Sequence, residues 1–473
     1  MGKRNELPAL LLSLVVTGGL LAGGAWLLKD RLPFNDLLGS PAGVSTSGNR
    51  TLAERLSAGE RVLTPGVAIA SKQSGVQAVL QEDWEQATRD FETALAERRN
   101  DPETLIYLNN ARIGAAPSHT IAIAAPLATL PNPALELLRG VAQAQQDINA
   151  AGGINGISLR VLIVSDDNDP DLANRLAIAL VQNPSVLGVI GHFSSSTTLG
   201  ATDTYNRGEL VMVSPVSTAV SISQAGDYIF RTVPSDRLAA TTLARYAQTE
   251  LGRPPVAVFY ASASTYSQSL WSEFTTAFVS DGGEVVAEFD LSRANVDPNQ
   301  LVQQAQQQGA ETLVLLNDVD TLDLALQVIA INRGQMPILA GDDLYNPKVL
   351  QIGGSNANGM VVSVPWHILS HEGSPFVETS RQLWGGDVSW RTATTYDAAQ
   401  ALISAMATEA SRDGVYQTLS RSGFEVMGAA RLVRFFSNGD RNQAAQLVYI
   451  APGERSGFGY DYVPVADVPV GGG

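Results

Sequence analysis

Two short stretches concentrate hydroxyl side chains where an apolar run stops. In the first, Val189, Ile190 and Gly191 are followed by His192, Phe193, Ser194, Ser195, Ser196, Thr197 and Thr198. In the second, Val211, Met212 and Val213 lead into Ser214, Pro215, Val216, Ser217 and Thr218. Serines at a strand-to-helix junction cap the helix and leave its first N–H groups pointing outward. Two such junctions side by side would offer hydroxyls and free backbone donors to one small carboxylate. Plain N-capping by Ser and Thr accounts for either stretch taken alone.

Other chemistry is absent. The chain has no P-loop, no G-x-G-x-x-G after a strand, no G-x-S-x-G and no H-E-x-x-H. His367 and His371 have the spacing of two metal ligands on a helix, but Gly373 and Pro375 make a helix there doubtful. No cysteine is present, which excludes disulfides, thiolate metal sites and a lipidated N-terminal cysteine. The 31 basic and 47 acidic residues give a net charge of −16, which argues against nucleic acid as a partner.

The elements around these stretches alternate. Short apolar runs at 121–125, 159–165, 186–190, 210–213, 256–260, 285–289, 312–316, 338–340 and 360–364 read as strands. Amphipathic stripes between them read as helices. Buried strands alternating with helices predict an α/β class with parallel sheets covered on both faces. So much α/β material exceeds one sheet core, so two Rossmann-like lobes are expected. Ligands in such sheets sit beyond the carboxyl ends of the strands.

Before residue 117 the pattern differs. Residues 8–28 carry no charge and, at about 1.5 Å per residue, just span a hydrocarbon core of about 30 Å. They read as a membrane anchor or a cleavable signal segment, and either places the rest of the chain on the periplasmic, extracytoplasmic side. Residues 29–73 read as a linker. Residues 74–116 read as helical, with Trp84, Ala87, Phe91, Ala94 and Leu95 on one stripe. This stretch resembles parts of a tetratricopeptide array; an ordinary helical hairpin fits it equally.

From residue 117 to 455 the ordered segments AGGINGISLRVLIVSDDNDP, VLGVIGHFSSSTTLGA, VMVSPVST, IFRTVPSD, VAVFYASASTYSQSLWSEF, ILAGDDLYNP and TATTYDAAQALISA resemble the branched-chain amino-acid binding proteins of ABC importers. The resemblance implies a type I periplasmic binding fold, two lobes joined by three crossings. Lobe 1 would take about 117–238 and 367–430, and lobe 2 about 239–366 and 431–455, with 456–473 a tail. It implies no reaction and no cofactor. Ser195 and Ser196 fall on the loop that holds a ligand carboxylate. Val216, Ser217 and Thr218 fall on a loop giving a carbonyl to the ammonium and a hydroxyl to the carboxylate. Tyr266 falls on an aromatic that closes over the ligand. Asp343 falls on the acid that pairs the ammonium, although the family more often has Glu, and Asp342 could exchange with it. Implied partners are a small zwitterion, the membrane through the N-terminal segment, and an ABC permease.

There are departures from the family pattern. The loop after strand 312–316 carries Asp318 and Asp320 where the family often has an aromatic. They either cap the next helix or favour a more cationic or polar ligand. The loop 126–131 lacks the usual Ser-Gly-Pro run. Lipoprotein activators of penicillin-binding proteins combine similar helices with the same fold, so an interaction protein is the alternative expectation.

Overall fold

The computed structural model describes residues 50–66 and 69–465, all but Arg50 within the unit Thr51–Gly473. The segment 8–28, the first part of the linker and residues 466–473 lie outside them. Among the described residues, no helix is long and apolar enough to cross a membrane.

Two sheets form the frame. The first holds β1 (Leu56–Ser57), β2 (Ser118–Ala125), β3 (Ser158–Ser165), β4 (Val186–Ile190), β5 (Met212–Ser214) and β6 (Ile229–Arg231), in the order β1-β3-β2-β4-β5-β6. The second holds β7 (Val256–Tyr260), β8 (Val285–Asp290), β9 (Thr312–Leu316), β10 (Ile338–Ala340) and β11 (Val361–Val364). After a hairpin of β12 (Val426–Met427) and β13 (Leu432–Val433), β14 (Gln446–Pro452) and β15 (Tyr460–Pro464) complete it, in the order β15-β14-β11-β10-β9-β7-β8.

The central strands pair in parallel and are buried on both faces, which is why they read as continuous apolar runs. The expectation of purely parallel sheets is corrected at the edges. β1 pairs antiparallel with β3, and β14 and β15 run antiparallel beside β11. β1 meets β3, and β14 meets β11, only across long stretches of intervening chain, so neither pairing carries a local β-helix-β signature. β1 lies inside the stretch read as a linker, and β15 inside the stretch read as a tail.

The chain passes between the sheets at 232–235, 365–374 and 434–445. The helix Asp236–Thr249 packs on the second sheet, and the helix Trp390–Thr408 returns to pack against the helix Pro131–Ala150 of the first.

Residues 70–113 form three helices, Ala70–Leu80, Trp84–Glu97 and Pro102–Ile113. Ala87, Phe91 and Ala94 are the buried stripe of the second, and Phe91 lies over Gly75 of the first. The third helix is buried on almost every side and is fastened to lobe 1. Asn110 Nδ2 donates to the carbonyls of Ala58 and Val161, both at 2.8 Å, and its Oδ1 accepts from Val161 N–H. Lys72 lies buried between Asp101 and Glu103, at 2.9 and 2.7 Å. Burial acts to lower the Lys72 pKa, but Glu103 and Asp101 outweigh it and hold the ammonium above its usual value.

Candidate functional site

A cleft of about 570 Å³ opens between the two sheets, and every residue lining it follows the carboxyl end of a parallel strand. Asn168 comes after β3; Phe193, Ser194, Ser195 and Ser196 after β4; Val216, Ser217 and Thr218 after β5. From the second sheet come Ala263, Ser264 and Tyr266 after β7, Asp318, Val319 and Asp320 after β9, and Asp342 and Asp343 after β10. All of the predicted site residues, Ser195, Ser196, Val216, Ser217, Thr218, Tyr266 and Asp343, are thus in one place.

On the lobe 1 wall, Gly191 makes the turn possible. Its φ is +142°, and a Cβ there would stand 2.7 Å from the Ala124 carbonyl oxygen. Ser194 caps the helix Ser195–Arg207, accepting from Thr197 N–H at 3.3 Å. The N–H groups of Ser195 and Ser196 have no intrahelical acceptor and lie at the positive end of the helix dipole. Ser195 Oγ accepts from Ala219 N–H at 3.2 Å, which joins the two hydroxyl-rich loops.

The loop 216–218 offers two hydroxyls. The Ser217 hydroxyl is engaged within lobe 1, bonding Thr198 Oγ1 at 2.7 Å and the Phe193 carbonyl at 3.2 Å. The uncommitted hydroxyl belongs to Thr218, which is 4% exposed and whose Oγ1 has no hydrogen-bond partner. The Thr218 carbonyl accepts from Arg231 Nη1 and from Asp236 N–H, both at 2.9 Å.

On the lobe 2 wall, Tyr266 donates its hydroxyl to Asp342 Oδ1 at 2.6 Å. Gly341 admits this contact, because a Cβ there would stand 2.7 Å from the tyrosine oxygen. Burial raises the pKa of Asp342, and the Tyr266 bond only partly opposes it. Burial also raises that of Asp343, with Arg391 pulling down and Asp342 and Asp318 pushing further up. Asp343 accepts from Arg391 Nη2 at 3.0 Å. Arg391 belongs to lobe 1, so this ion pair crosses the cleft. So does the bond from Val220 N–H to Ser269 Oγ, at 3.0 Å. The lobes are therefore in contact over the cleft.

The comparisons with known proteins agree with this architecture. A family model described as periplasmic binding protein matches residues 120–457. The chain belongs to that family. An amino acid binding protein of Pseudomonas aeruginosa is 34% identical over 178 residues, 37% of this chain and 47% of that one. From the same organism, a leucine-, isoleucine-, valine-, threonine- and alanine-binding protein is 28% identical over 48% of this chain and 60% of its own length. The chain thus spans about half the length of these curated relatives. An ABC transporter substrate-binding protein from Desulfitobacterium hafniense, solved in complex with Leu, superposes with a TM-score of 0.61 at 23% identity. That match covers 73% of this chain and all of the other.

Several residues of this periplasmic binding protein that shape the cleft escaped the sequence reading. Arg391 is buried, shared between Asp343 and Glu136, and stands 4.4 Å from the Trp390 ring. Arg231 bonds Asp440 at 2.6 Å and holds the Thr218 loop to the third crossing. Asp236 is 1% exposed with neither carboxylate oxygen partnered, and burial pushes its pKa up to about 7 against the Ser269 and Thr218 hydroxyls. Behind the serine loop, His192 bonds Asp166 at 2.6 Å and Tyr205 at 3.1 Å. Arg391 gave no signal, because it finds its carboxylate partners on distant segments. Arg231, Asp236, Asp166 and His192 do lie in segments that carry the family resemblance.

The loop 126–131 does not line the cleft, and Leu127 is fully buried. Neither acid caps the next helix: its N-cap is Thr321 and no side chain caps it, while Asp318 accepts from Thr321 N–H at 3.0 Å and also faces the cleft. His367 accepts from Leu369 N–H, and burial lowers its pKa to about 4, so it is neutral. A wider cavity of about 810 Å³ opens elsewhere between the lobes, against Tyr345, His367, Val388 and Tyr462. None of the predicted residues reaches it, and its Asp387 and Arg455 are paired with each other.

Proposed function

We propose that this protein captures an amino acid or a similar small zwitterion outside the cytoplasm and passes it to an ABC importer. The supporting observation is one cleft that carries opposite chemistry on its two walls. Lobe 1 presents free helix N–H groups and the Thr218 hydroxyl, which suit a carboxylate. Lobe 2 presents Asp342 and Asp343 beside Tyr266, which suit an ammonium. A ligand touching both walls stabilises the contact between lobes, and only such differential contact shifts an opening equilibrium.

In this reading Ser195, Ser196 and Thr218 hold the carboxylate, and the Val216 carbonyl and Asp343 hold the ammonium. Tyr266 covers the ligand, and Ser217 keeps the two lobe 1 loops in register. The lobes divide near 117–238 with 367–430, and 239–366 with 431–455. The segment 8–28 tethers the module to the membrane beside the permease, and the tetratricopeptide-like stretch 74–116 stands between tether and lobe 1. The partner-binding alternative fits less well, since it gives no use to the paired walls.

The test is to unfold the purified protein and identify any released amino acid, with a thermal-shift panel of amino acids, amides and urea alongside. At least one amino acid should raise the melting temperature, because binding to the folded state alone stabilises it. A panel without any hit from a folded sample overturns the proposal.

A further inference from the structure

The lining of the cleft is lopsided in charge. Asp318, Asp320, Asp342 and Asp343 face it, and among the described residues no lysine or arginine does. Arg391 reaches Asp343 from lobe 1 and is already shared between Asp343 and Glu136. Asp320 is exposed at the mouth and has no hydrogen-bond or ion-pair partner among the described residues. Asp318 spends Oδ1 on Thr321 and leaves its other oxygen uncommitted.

The apolar lining is thin by contrast. Phe193 and Val216 are buried in lobe 1, Val319 sits between the two acids, and the Tyr266 hydroxyl is held by Asp342. An aliphatic side chain on this wall would desolvate carboxylates without pairing them, which penalises it. A cation there would pair them in a partly water-excluded site. The opposite wall offers the N–H groups of Ser195 and Ser196 at the start of a helix, which suit the carboxylate of such a ligand.

We propose that the ligand is an amino acid with a positively charged side chain, its carboxylate at Ser195, Ser196 and Thr218 and its distal cation between Asp318 and Asp320. The inference rests on the amino-acid reading given above. A long side chain suits the geometry, because Asp320 lies at the mouth and the α-ammonium partners, Asp342 and Asp343, lie deep.

Isothermal titration of the full-length protein at pH 7.5 separates the possibilities, using L-arginine, L-lysine, L-ornithine, L-leucine, L-isoleucine and the diamine putrescine. A basic amino acid should bind at least tenfold more tightly than L-leucine. Asp320→Asn should weaken that binding about tenfold and leave L-leucine unchanged or improved. Asp320 makes no internal bond, so the variant keeps its fold, which a melting curve checks. Binding of L-leucine as tightly as every basic amino acid overturns this inference and leaves the amino-acid reading standing. Equal binding of putrescine and L-lysine removes the carboxylate seat and overturns the proposed class. Absence of binding by all six compounds overturns both readings.

Discussion

Thr218 and Asp236 are neighbours in which burial has left polar atoms without partners. For Thr218, the proposed reading has the ligand carboxylate supply the partner. Thr218→Val should therefore lower ligand affinity about tenfold or more, since a hydrogen bond to a charged group is worth about 1.5–3 kcal/mol. The unligated melting temperature should not fall; a loss of stability with unchanged affinity would assign the hydroxyl to the fold instead. For Asp236 the effect is on pH dependence. Its folded pKa of about 7 exceeds the unfolded 3.8. The folded state thus holds a proton that the unfolded state has released, and stability falls as pH rises from about 4 to 7. Asp236→Asn mimics the protonated form. It should gain on the order of 1–3 kcal/mol over the wild type at pH 8 and clearly less at pH 5. A gain independent of pH would mean that Asp236 ionises freely.

At the scale of elements, the first of the helices 70–113 is held to the third by a buried cation between two carboxylates. Lys72→Met removes the cation and leaves Asp101 and Glu103 facing each other without it. The cost should be about 3–5 kcal/mol, read from chemical denaturation. A cost below 1 kcal/mol would mean that water already reaches the cluster. The stripe of Ala87, Phe91 and Ala94 was legible because helical periodicity is local. So were the central strands and the hydroxyl loops behind β4 and β5. The antiparallel edges were not, because β1 finds β3 about a hundred residues later and β15 joins its sheet only after the third crossing. The same limit hid Arg391. The wall positions Ser195, Tyr266 and Asp343 were found by the order of segments, whereas the engagement of Ser217 within lobe 1 needed its bonds to Thr198 and Phe193.

For the whole molecule, the ion pair of Arg391 with Asp343 is a strut between lobes. Arg391→Met should open the unligated protein, raising its radius of gyration in small-angle scattering, and saturating ligand should restore part of the closure. Identical scattering from variant and wild type would show that the strut does not set the interlobe angle. Stability against pH should reflect opposing groups. Asp236, Asp342, Asp343 and Asp397 all titrate upward on burial, whereas His367 and His371 titrate downward to about 4 and partly offset them below pH 6.5.

The helices 70–113 make their hydrogen bonds beyond the segment to lobe 1, through Asn110 to β3 and through Arg99 to the Leu383 carbonyl. They therefore ride with lobe 1 as one body whenever the cleft opens. Whatever grips these helices fixes a frame of reference in which lobe 1 is stationary and lobe 2 alone swings. Occupancy of the cleft then becomes a displacement of one known half of the molecule, a signal that a neighbour can read by touch without contacting the ligand.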